Sequence, residues 1–305
     1  MTSAVAPPSV SSPQSEDGRE DGSEQAEVRR ICLDYVTSWY EADASRMEMA
    51  VHPELAKRFV RALPSGAEFL DELGASKLVQ WTASGAGRTI PPEHRHQEVT
   101  LLEQFFRAAI VKVLTATGVE YLQLLKIGDG WKIVNILGES REVKPYTASL
   151  FVSTSAGTDP SGVATERIVD AARGYAEGWD FGDVSRVASM AHPQWSKKCV
   201  RLTDAGGFFL ESWGAQKMLR WIPSKEHEAE LTDERIDINV LDHSGTIAAA
   251  KVEWEFQADG TPQSIDYLAL AHTKDGWQAV NIVWEDDRRQ GGPVIADGDW
   301  EIWQL

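Results

Sequence analysis

Two histidines with the same local context are the first candidates for acid–base chemistry. His52 and His192 each precede a proline and follow a short segment with helical spacing. A neutral imidazole can take or give a proton near pH 7, so both are candidate catalytic residues. The alternative is a histidine that ends its helix and whose ring bonds backbone carbonyls. The sequence alone leaves both interpretations open.

Two carboxylates, each followed by a tyrosine and a leucine, form the second candidate pair. Glu120 precedes Tyr121, and Asp266 precedes Tyr267. Successive side chains of a strand point to opposite faces, so either the carboxylate or the tyrosine faces the interior. An inward carboxylate would have a raised pKa and could act as a catalytic base. An inward tyrosine would instead donate a hydrogen bond to a ligand.

Two further polar pairs also have two interpretations. Asn135 and Asn281 lie within strand-like segments and either bond a sheet edge or reach a ligand carbonyl. Asp43 and Asp183 each stand immediately before a short helical segment. They are well placed as N-caps that accept amide hydrogens of the first turn, and the alternative is a carboxylate base.

Aromatic residues are the third group that could form a site. The chain has 12 tryptophans, and aromatic side chains dominate core burial. The alternative to core filling is an aromatic cavity for a planar or polycyclic ligand. The second repeat holds more of these residues, so we predict the larger pocket there. The candidate ligand contacts are Tyr35, Trp39, Trp81, Tyr175, Trp179, Trp195, Trp221 and Trp254.

These pairs exist because the chain is a tandem duplication. At an offset of 140, ten of the 27 residues in 35–61 are identical to those in 175–201, where roughly one or two would match by chance. The triplet Asp129-Gly130-Trp131 recurs as Asp275-Gly276-Trp277. The sequence therefore predicts two copies of one structural unit.

Each copy reads as helices followed by strands, which predicts an α+β fold. Apolar residues at helical spacing predict a long first helix, beginning near Glu24 in the first copy. A short helix, an extended segment, a third helix at 69–81 or 209–221 and four antiparallel strands follow. We predict a disordered tail at 1–24, domains at 25–140 and 163–286, a linker at 141–162 and a C-terminal tail at 287–305.

Composition restricts the partners. The 305 residues carry a net charge of −17, which argues against nucleic acid and anionic membrane surfaces, since both need clustered Lys and Arg. Cys32 and Cys199 occupy non-equivalent places and lack a metal-binding spacing, so we expect neither disulfide nor metal. No phosphate loop or HExxH motif occurs. No run is long and apolar enough for a membrane span, and we expect a cytoplasmic protein.

The order of residues in both copies resembles one known family. The pattern runs Tyr-x-x-x-Trp-x-x-x-Asp, His-Pro, Lys, a strand with Tyr-Leu, then Asp-Gly-x-Trp and Asn-Ile. It is similar to the lumazine-binding family within the nuclear transport factor two-like (ketosteroid-isomerase-like, SnoaL-like) superfamily. The resemblance implies two tandem cone-shaped domains, each with three helices against a curved antiparallel sheet. The first copy departs at Gly138, where the second has Trp284, so the two cone mouths are expected to differ.

The resemblance implies a cone with an apolar pocket at its open end. Related proteins work by acid–base chemistry without a bound cofactor, so we expect a cofactor-independent cyclase, isomerase, dehydratase or epoxide hydrolase acting on a small apolar or aromatic metabolite. The alternatives are a non-catalytic carrier or sensor, and a protein-interaction module. Many single-copy relatives dimerise through their sheets, so the two copies are expected to form an intramolecular pseudo-dimer within a monomer or homodimer.

Overall fold

Each repeat packs a long helix against one face of a six-stranded sheet. The computed structural model describes residues 17–63, 65, 67–140, 162–203, 205–222, 236–256 and 262–286. Most of the predicted linker, the predicted C-terminal tail and residues 1–16 lie outside this part of the chain. Helix α1 begins at Asp17, earlier than the predicted start near Glu24.

The first repeat contains three α-helices, two short 3-10 helices and six strands. They are α1 (Asp17–Glu41), α2 (Ala44–Ala50), β1 (Val51–Ala62), β2 (Glu68–Gly74), α3 (Ala75–Ala83), the 3-10 helices Ala86–Thr89 and Pro92–His94, β3 (Gln97–Phe105), β4 (Ala108–Thr115), β5 (Gly118–Ile127) and β6 (Gly130–Ser140).

The second repeat has the same order of helices and strands in its described residues. They are α4 (Val163–Asp180), α5 (Val184–Met190), β7 (Ala191–Leu202), β8 (Phe208–Gly214), α6 (Ala215–Trp221), β9 (Asp237–Ser244), β10 (Ile247–Phe256), β11 (Pro262–Thr273) and β12 (Gly276–Asp286). Asp43 and Asp183 cap α2 and α5, each accepting the backbone N–H three residues on at 3.0 Å. Their N-cap interpretation is confirmed.

The predicted third helix begins too early in both repeats. Residues 69–74 belong to β2, which pairs with β1 so that Leu70 lies opposite Val60. The apolar spacing of Phe69, Leu70 and Leu73 fits a helix, but β1 offers an edge whose backbone groups need partners. Residues 69–74 therefore pair with β1 as a strand instead of forming a helix, and the helix starts only at Ala75.

The sheets are mixed rather than purely antiparallel. The strand orders are β2-β1-β6-β5-β4-β3 and β8-β7-β12-β11-β10-β9. Strands β1 and β6 run parallel, as do β7 and β12. A parallel pair requires a long connection, and here the chain passes through β2, α3 and β3–β5 between β1 and β6, and through the equivalent elements between β7 and β12. The antiparallel prediction is therefore corrected for this one pair in each sheet.

The strands alternate between two buried faces. In β4, Ala109, Val111 and Val113 face α1 and the core of the first repeat. Ala108 and Ile110 face the other way, into a cluster shared by both repeats. The two sheets therefore pack against each other through the faces that their own helices leave uncovered. This is the predicted pseudo-dimer arrangement, and it accounts for strands that are apolar on both faces.

Charged side chains cross the junction between the repeats. Lys112 pairs with Asp242 at 2.5 Å, and Lys251 pairs with Glu103 at 2.5 Å. Arg58 of β1 donates to Asn281 Oδ1 at 2.5 Å in the second repeat. Because such contacts need correct geometry to offset desolvation, they define one register of the two sheets.

Candidate functional site

A cavity of about 210 Å³ opens between α1, α3 and the sheet of the first repeat. Five aromatic side chains line it, together with charged groups from three strands. The lining includes Tyr35, Trp39, Tyr40, Phe59, Trp81, Lys57, Arg61, Glu120, Glu139 and Ser140. Trp39 and Trp81, predicted as ligand contacts, are part of this lining.

Three polar side chains form a closed cluster in the cavity wall. Tyr35 donates its hydroxyl hydrogen to Glu120 Oε2 at 2.7 Å. Lys57 Nζ donates to Glu120 Oε1 at 2.5 Å and to the Tyr35 hydroxyl oxygen at 2.5 Å. The tyrosine comes from α1, the lysine from β1 and the glutamate from β5. Helix packing on the sheet is therefore what assembles the cluster.

Burial determines the protonation state of the tyrosine. Removal from water, followed by the neighbouring Glu120 carboxylate, raises the pKa of Tyr35 well above its ordinary value. The hydroxyl therefore stays protonated and acts as a hydrogen-bond donor. Lys57 supplies a positive charge beside it, and an ammonium has three N–H donors. Two of them are used within the cluster.

The mouth of the cavity has cations stacked on an aromatic ring. Lys57 Nζ lies 5.3 Å from the Phe59 ring centroid, and the Arg61 guanidinium lies 4.6 Å from it. Phe59 is opposite Gly138 in the strand pairing, and a Cβ at Gly138 would lie 2.3 Å from the Phe59 ring. The glycine therefore makes room for the ring on the inner face of the sheet.

The second repeat contains the same cluster with a shorter acid. Tyr175 donates to Asp266 Oδ2 at 2.8 Å, and Lys197 donates to the same oxygen at 2.8 Å and to the tyrosine hydroxyl at 3.0 Å. Burial, followed by Asp266, raises the pKa of Tyr175 well above its ordinary value. Asp266 Oδ1 has no hydrogen-bond partner among the described residues.

Tryptophans surround this second cluster. Trp195 and Trp254 are buried and meet the Tyr175 ring edge to face, with centroids 6.1 and 6.5 Å away. Trp179 stacks beside Trp221 with centroids 5.1 Å apart. Of these four tryptophans, predicted as ligand contacts, Trp195 and Trp254 pack on the cluster tyrosine, and Trp179 and Trp221 pack on each other. Residues 223–235, which precede β9, lie outside the described chain, so the predicted larger pocket of this repeat stays a prediction.

Both repeats place an aromatic ring beneath the same two cations but take it from different strands. Lys197 Nζ lies 5.5 Å and the Arg201 guanidinium 4.7 Å from the Trp284 ring centroid. Trp284 occupies the position of Gly138, opposite Asp266 on β11. The expected difference at this position is real, since the second repeat carries the ring on β12 and the first carries it on β1.

The two histidines lie away from the cavity. His52 Nδ1 accepts the backbone N–H of Glu54, and His192 Nδ1 accepts that of Gln194, both at 3.1 Å. Burial lowers the pKa of each, so both are neutral near pH 7. His52 is not part of the cavity lining. The expected bond to a backbone carbonyl is replaced by acceptance of a backbone N–H, so the contact is structural, and we leave both histidines out of the site.

Four other candidates face the junction between the repeats. Tyr121 donates to Asp242 Oδ2 at 2.7 Å, and Tyr267 is buried in the shared cluster. Asn135 donates to Gln123 at 2.9 Å, and Asn281 accepts from Arg58. The strand alternation thus puts both carboxylates inside the cones and both tyrosines outside. The ligand-binding prediction is corrected for Tyr121, Tyr267, Asn135 and Asn281.

The two lysines of the clusters were not predicted as site residues. Lys57 and Lys197 are identical between the repeats, 22 residues after Tyr35 and Tyr175. They stand among other charged residues in the β1 and β7 segments. Their side chains are each only 11% exposed. The available signal was a lysine recurring together with an inward tyrosine and a carboxylate.

Comparison with known proteins identifies the class. The model of the family described as "Putative lumazine-binding" matches residues 23–137 and 164–285, one match for each repeat. These matches cover well over half of the chain. The chain therefore belongs to this family, as a tandem NTF2-like protein.

Solved structures similar to this chain each correspond to about one repeat. An NTF2-like protein of unknown function from Shewanella baltica OS155 is 17% identical, with 43% of this chain and 98% of that chain covered and a TM-score of 0.35. One from Silicibacter pomeroyi DSS-3 is 17% identical, with 42% and 100% covered and a TM-score of 0.34. The CaMKII hub of S. rosetta is 19% identical, with 42% and 100% covered and a TM-score of 0.30. Curated proteins show no match.

No described helix is long and apolar enough to cross a membrane. No group of three or more His, Cys, Asp and Glu side chains with a metal-binding arrangement occurs among the described residues.

Proposed function

We propose that the first repeat binds a small planar metabolite in its cavity and performs acid–base chemistry on it without a cofactor. One observation carries the proposal: a cavity with aromatic walls contains a buried Tyr35–Lys57–Glu120 cluster. A mostly apolar hollow with a few convergent polar groups is the usual form of a small-molecule site.

The size of the cavity restricts the ligand. Sites for drug-sized ligands measure about 300–1,000 Å³, and this cavity measures about 210 Å³. A ligand of one or two rings fits this volume better than a polycyclic one. Trp39 and Phe59 suit a flat ring, while Lys57 suits a carbonyl or another acceptor. The family name and these features support lumazine, a bicyclic dione, as the first probe.

The cluster can move a proton in a defined way. A carbon next to a ligand carbonyl would lose its proton to the Glu120 carboxylate, and the electron pair would pass to the carbonyl oxygen. The third N–H of Lys57 would stabilise the resulting enolate, as preorganised donors do in such reactions. For a ligand with a C=C bond next to that carbon, return of the proton to the far end of the C=C bond would re-form the carbonyl and complete an isomerisation. Glu120 retains lone pairs for this step while it accepts from Lys57 and Tyr35.

A second candidate function is a carrier or sensor that does no chemistry. It is favoured by the commitment of both Glu120 oxygens to hydrogen bonds within the cluster. Both oxygens are then already engaged when a ligand enters, which leaves the carboxylate less available to take a proton from it. The interaction-module alternative has less support, because each sheet covers the outer face of the other.

Binding is tested by titrating the full chain with lumazine and following its fluorescence. We expect Lys57→Met to weaken binding by roughly 10–100-fold, since a charge-assisted hydrogen bond contributes about 1.5–3 kcal/mol. Lys197→Met is the matched control in the second repeat and should leave this affinity unchanged. Equal affinity of wild type and Lys57→Met would place the ligand elsewhere.

Catalysis is tested with 2-tetralone, a bicyclic ketone, in D₂O. We expect the protein to speed deuterium incorporation next to the carbonyl, measured by NMR, above the rate in buffer. Glu120→Gln should remove roughly 10²–10⁴-fold of that acceleration, the usual contribution of a general base. Binding of 2-tetralone without any acceleration would favour the carrier function.

A further inference from the structure

The end of β6, which forms part of the wall of the first cavity, is bound by the second repeat. Glu139 and Ser140, at the end of β6, belong to the cavity lining. Gly138 faces the Phe59 ring on the inner side. Successive residues alternate between faces, so the Glu139 side chain turns away from the cavity and into the junction.

The Glu139 carboxylate is bound by one turn of the second repeat. Its Oε1 accepts the backbone N–H of Thr246 at 3.0 Å and the Thr246 hydroxyl at 3.1 Å. Its Oε2 accepts the Ser244 hydroxyl at 3.2 Å. The Glu139 residue is only 8% exposed. Three donors on a buried carboxylate form a strong and directional attachment.

Two glycines permit this attachment. A Cβ at Gly245, which has φ of +50°, would lie 2.1 Å from Glu139 Oε1. A Cβ at Gly118, another cavity residue, would lie 2.0 Å from the Glu139 carbonyl oxygen. Glu139 is thus enclosed between the β5 wall of the cavity and the β9–β10 turn. A side chain at Gly118 would collide with backbone and one at Gly245 would displace the Glu139 carboxylate, so both glycines permit the close packing of turn, carboxylate and wall.

The equivalent turn of the first repeat is built differently. The His272 N–H donates to the Thr246 oxygen at 2.7 Å, and the Lys126 N–H donates to the Arg107 oxygen at 2.8 Å, which aligns the two turns. Phe106, with φ of +45°, stands where the second repeat has Gly245.

A small cleft lies beside the contact between Glu139 and the β9–β10 turn. It shares Arg61, Glu139 and Ser140 with the cavity and is completed by Thr246 and Ile247 of the second repeat. Arg61 donates to Ser140 Oγ at 3.1 Å. Arg61, at the cavity mouth, is therefore hydrogen-bonded to the residue that follows Glu139 in the chain.

We propose that Glu139 is a positioning residue through which the Ser244–Thr246 turn of the second repeat sets ligand affinity in the first. This inference rests on the proposed function, because the affinity concerned is that of the first cavity. It assigns the second repeat the role that a partner subunit would have in an oligomer. Ligand binding in the first cone and the position of the β9–β10 turn are then coupled in both directions.

A double-mutant cycle on the full chain tests the coupling. We expect Glu139→Gln to weaken lumazine binding by about 5–20-fold and Thr246→Val by about 3-fold, with the double variant no weaker than Glu139→Gln alone. Such non-additivity is the mark of residues acting through one another. Glu98→Gln and Thr100→Val, both exposed on β3, are matched controls and should bind as wild type does. Unchanged affinity in Glu139→Gln, or additive losses in the double variant, would overturn the proposal.

Hydrogen exchange provides a readout that needs no ligand. In Glu139→Gln, amides of 57–61 and 118–122 should exchange faster, while those of 197–201 stay as in wild type. If wild type fails to bind lumazine, the proposed ligand is wrong. The exchange pattern then still tests whether the contact of Glu139 with the Ser244–Thr246 turn positions the cavity wall. Uniformly faster exchange in both repeats would indicate a general loss of stability and contradict a local positioning role. Ser244→Ala, which removes one donor only, serves if Glu139→Gln does not fold.

Discussion

The two repeats contain the same polar cluster in different surroundings. In the first, Lys57 and Glu120 border a cavity of about 210 Å³. In the second, Lys197 lies over the rings of Tyr175, Trp179 and Trp284, at 5.7, 5.1 and 5.5 Å from their centroids. Duplication preserved the cluster, and the residues around it diverged.

One exchange of residues explains much of this difference. Phe59 and Gly138 of the first repeat correspond to Cys199 and Trp284 of the second. Each pair supplies one ring beneath a lysine and an arginine. The ring can come from either strand because both point to the same inner face. The comparison teaches that the cation–ring stack is retained while the strand that supplies the ring, and with it the shape of the mouth, is free to change.

The largest expected effect comes from removing the acid of each cluster. Asp266→Ala should lower the free energy of unfolding by about 3–5 kcal/mol, because it leaves a buried Lys197 charge without its partner. Glu120→Ala should lower it by about 1–3 kcal/mol, because water entering the cavity can solvate Lys57. Urea unfolding monitored by circular dichroism measures both.

Glu98→Ala, at an exposed position on β3, is the control for this pair and should stay close to wild type. Equal losses in Asp266→Ala and Glu120→Ala would mean that the surroundings of the two clusters do not differ energetically.

The next effect concerns the cations at equivalent places in β1 and β7. Lys198 of β7 is the counterpart of Arg58 of β1. Its Nζ donates to the backbone oxygens of Glu54 and Val134, at 2.6 and 3.0 Å. Burial, then the Arg58 charge, lowers the pKa of Lys198 to about 7. The acids Glu54 and Glu72 act in the opposite direction and are outweighed.

A lowered lysine pKa makes stability depend on pH with a definite sign. Between about pH 7 and the ordinary lysine pKa, the unfolded chain holds a proton that the folded chain lacks, so stability rises with pH. From pH 7 to 9 this contribution is about 2–3 kcal/mol. Lys198→Met should flatten the curve of unfolding free energy against pH by that amount. Exposed Lys274→Met is the control, and parallel curves for wild type and Lys198→Met would refute the expectation.

A smaller effect tests the exchange of rings. Gly138→Ala should cost about 1–3 kcal/mol of stability, because its Cβ must displace the Phe59 ring. Combining it with Phe59→Cys, the residue of the second repeat, should bring the double variant within about 1 kcal/mol of Phe59→Cys alone. Gly130→Ala in the same strand is the control, since a Cβ there meets nothing within 4 Å. Additive losses in a thermal-unfolding series would contradict the ring exchange.

The smallest effect is expected at the histidines. Asn at position 52 or 192 can offer its side-chain oxygen to the same backbone N–H, as Asn does in turns. His52→Asn and His192→Asn should therefore change stability by less than about 0.5 kcal/mol and leave lumazine affinity as it is. A marked loss of affinity in calorimetric titration of His52→Asn would restore that histidine as a site candidate.

Much of the fold could be predicted because the repeat places each residue type twice. The matched Tyr35 and Tyr175, and the N-caps Asp43 and Asp183, follow from local spacing and short-range chemistry. The strand β2 was missed because its apolar spacing also fits a helix. Only the edge of β1, which is brought near by folding, selects the strand.

The site could be predicted in part. Alternation along β5 and β11 required one of each carboxylate–tyrosine pair to face inward, without saying which. Burial of Tyr121 and Tyr267 between the sheets decided it, because the outer face is covered by the other repeat rather than by water. For the same reason, Asn135 and Asn281 lie at the junction between the repeats.

The sequence by itself determined the duplication, the class of fold and the types of side chain available for chemistry, since these depend on order and spacing along the chain. Only the tertiary structure decided that Lys57 joins Tyr35 and Glu120, and that the second repeat binds Glu139. The Lys57–Glu120 and Glu139–Thr246 contacts join residues that are 63 and 107 positions apart. The packing of helix on sheet and of sheet on sheet brings these residues within hydrogen-bonding distance.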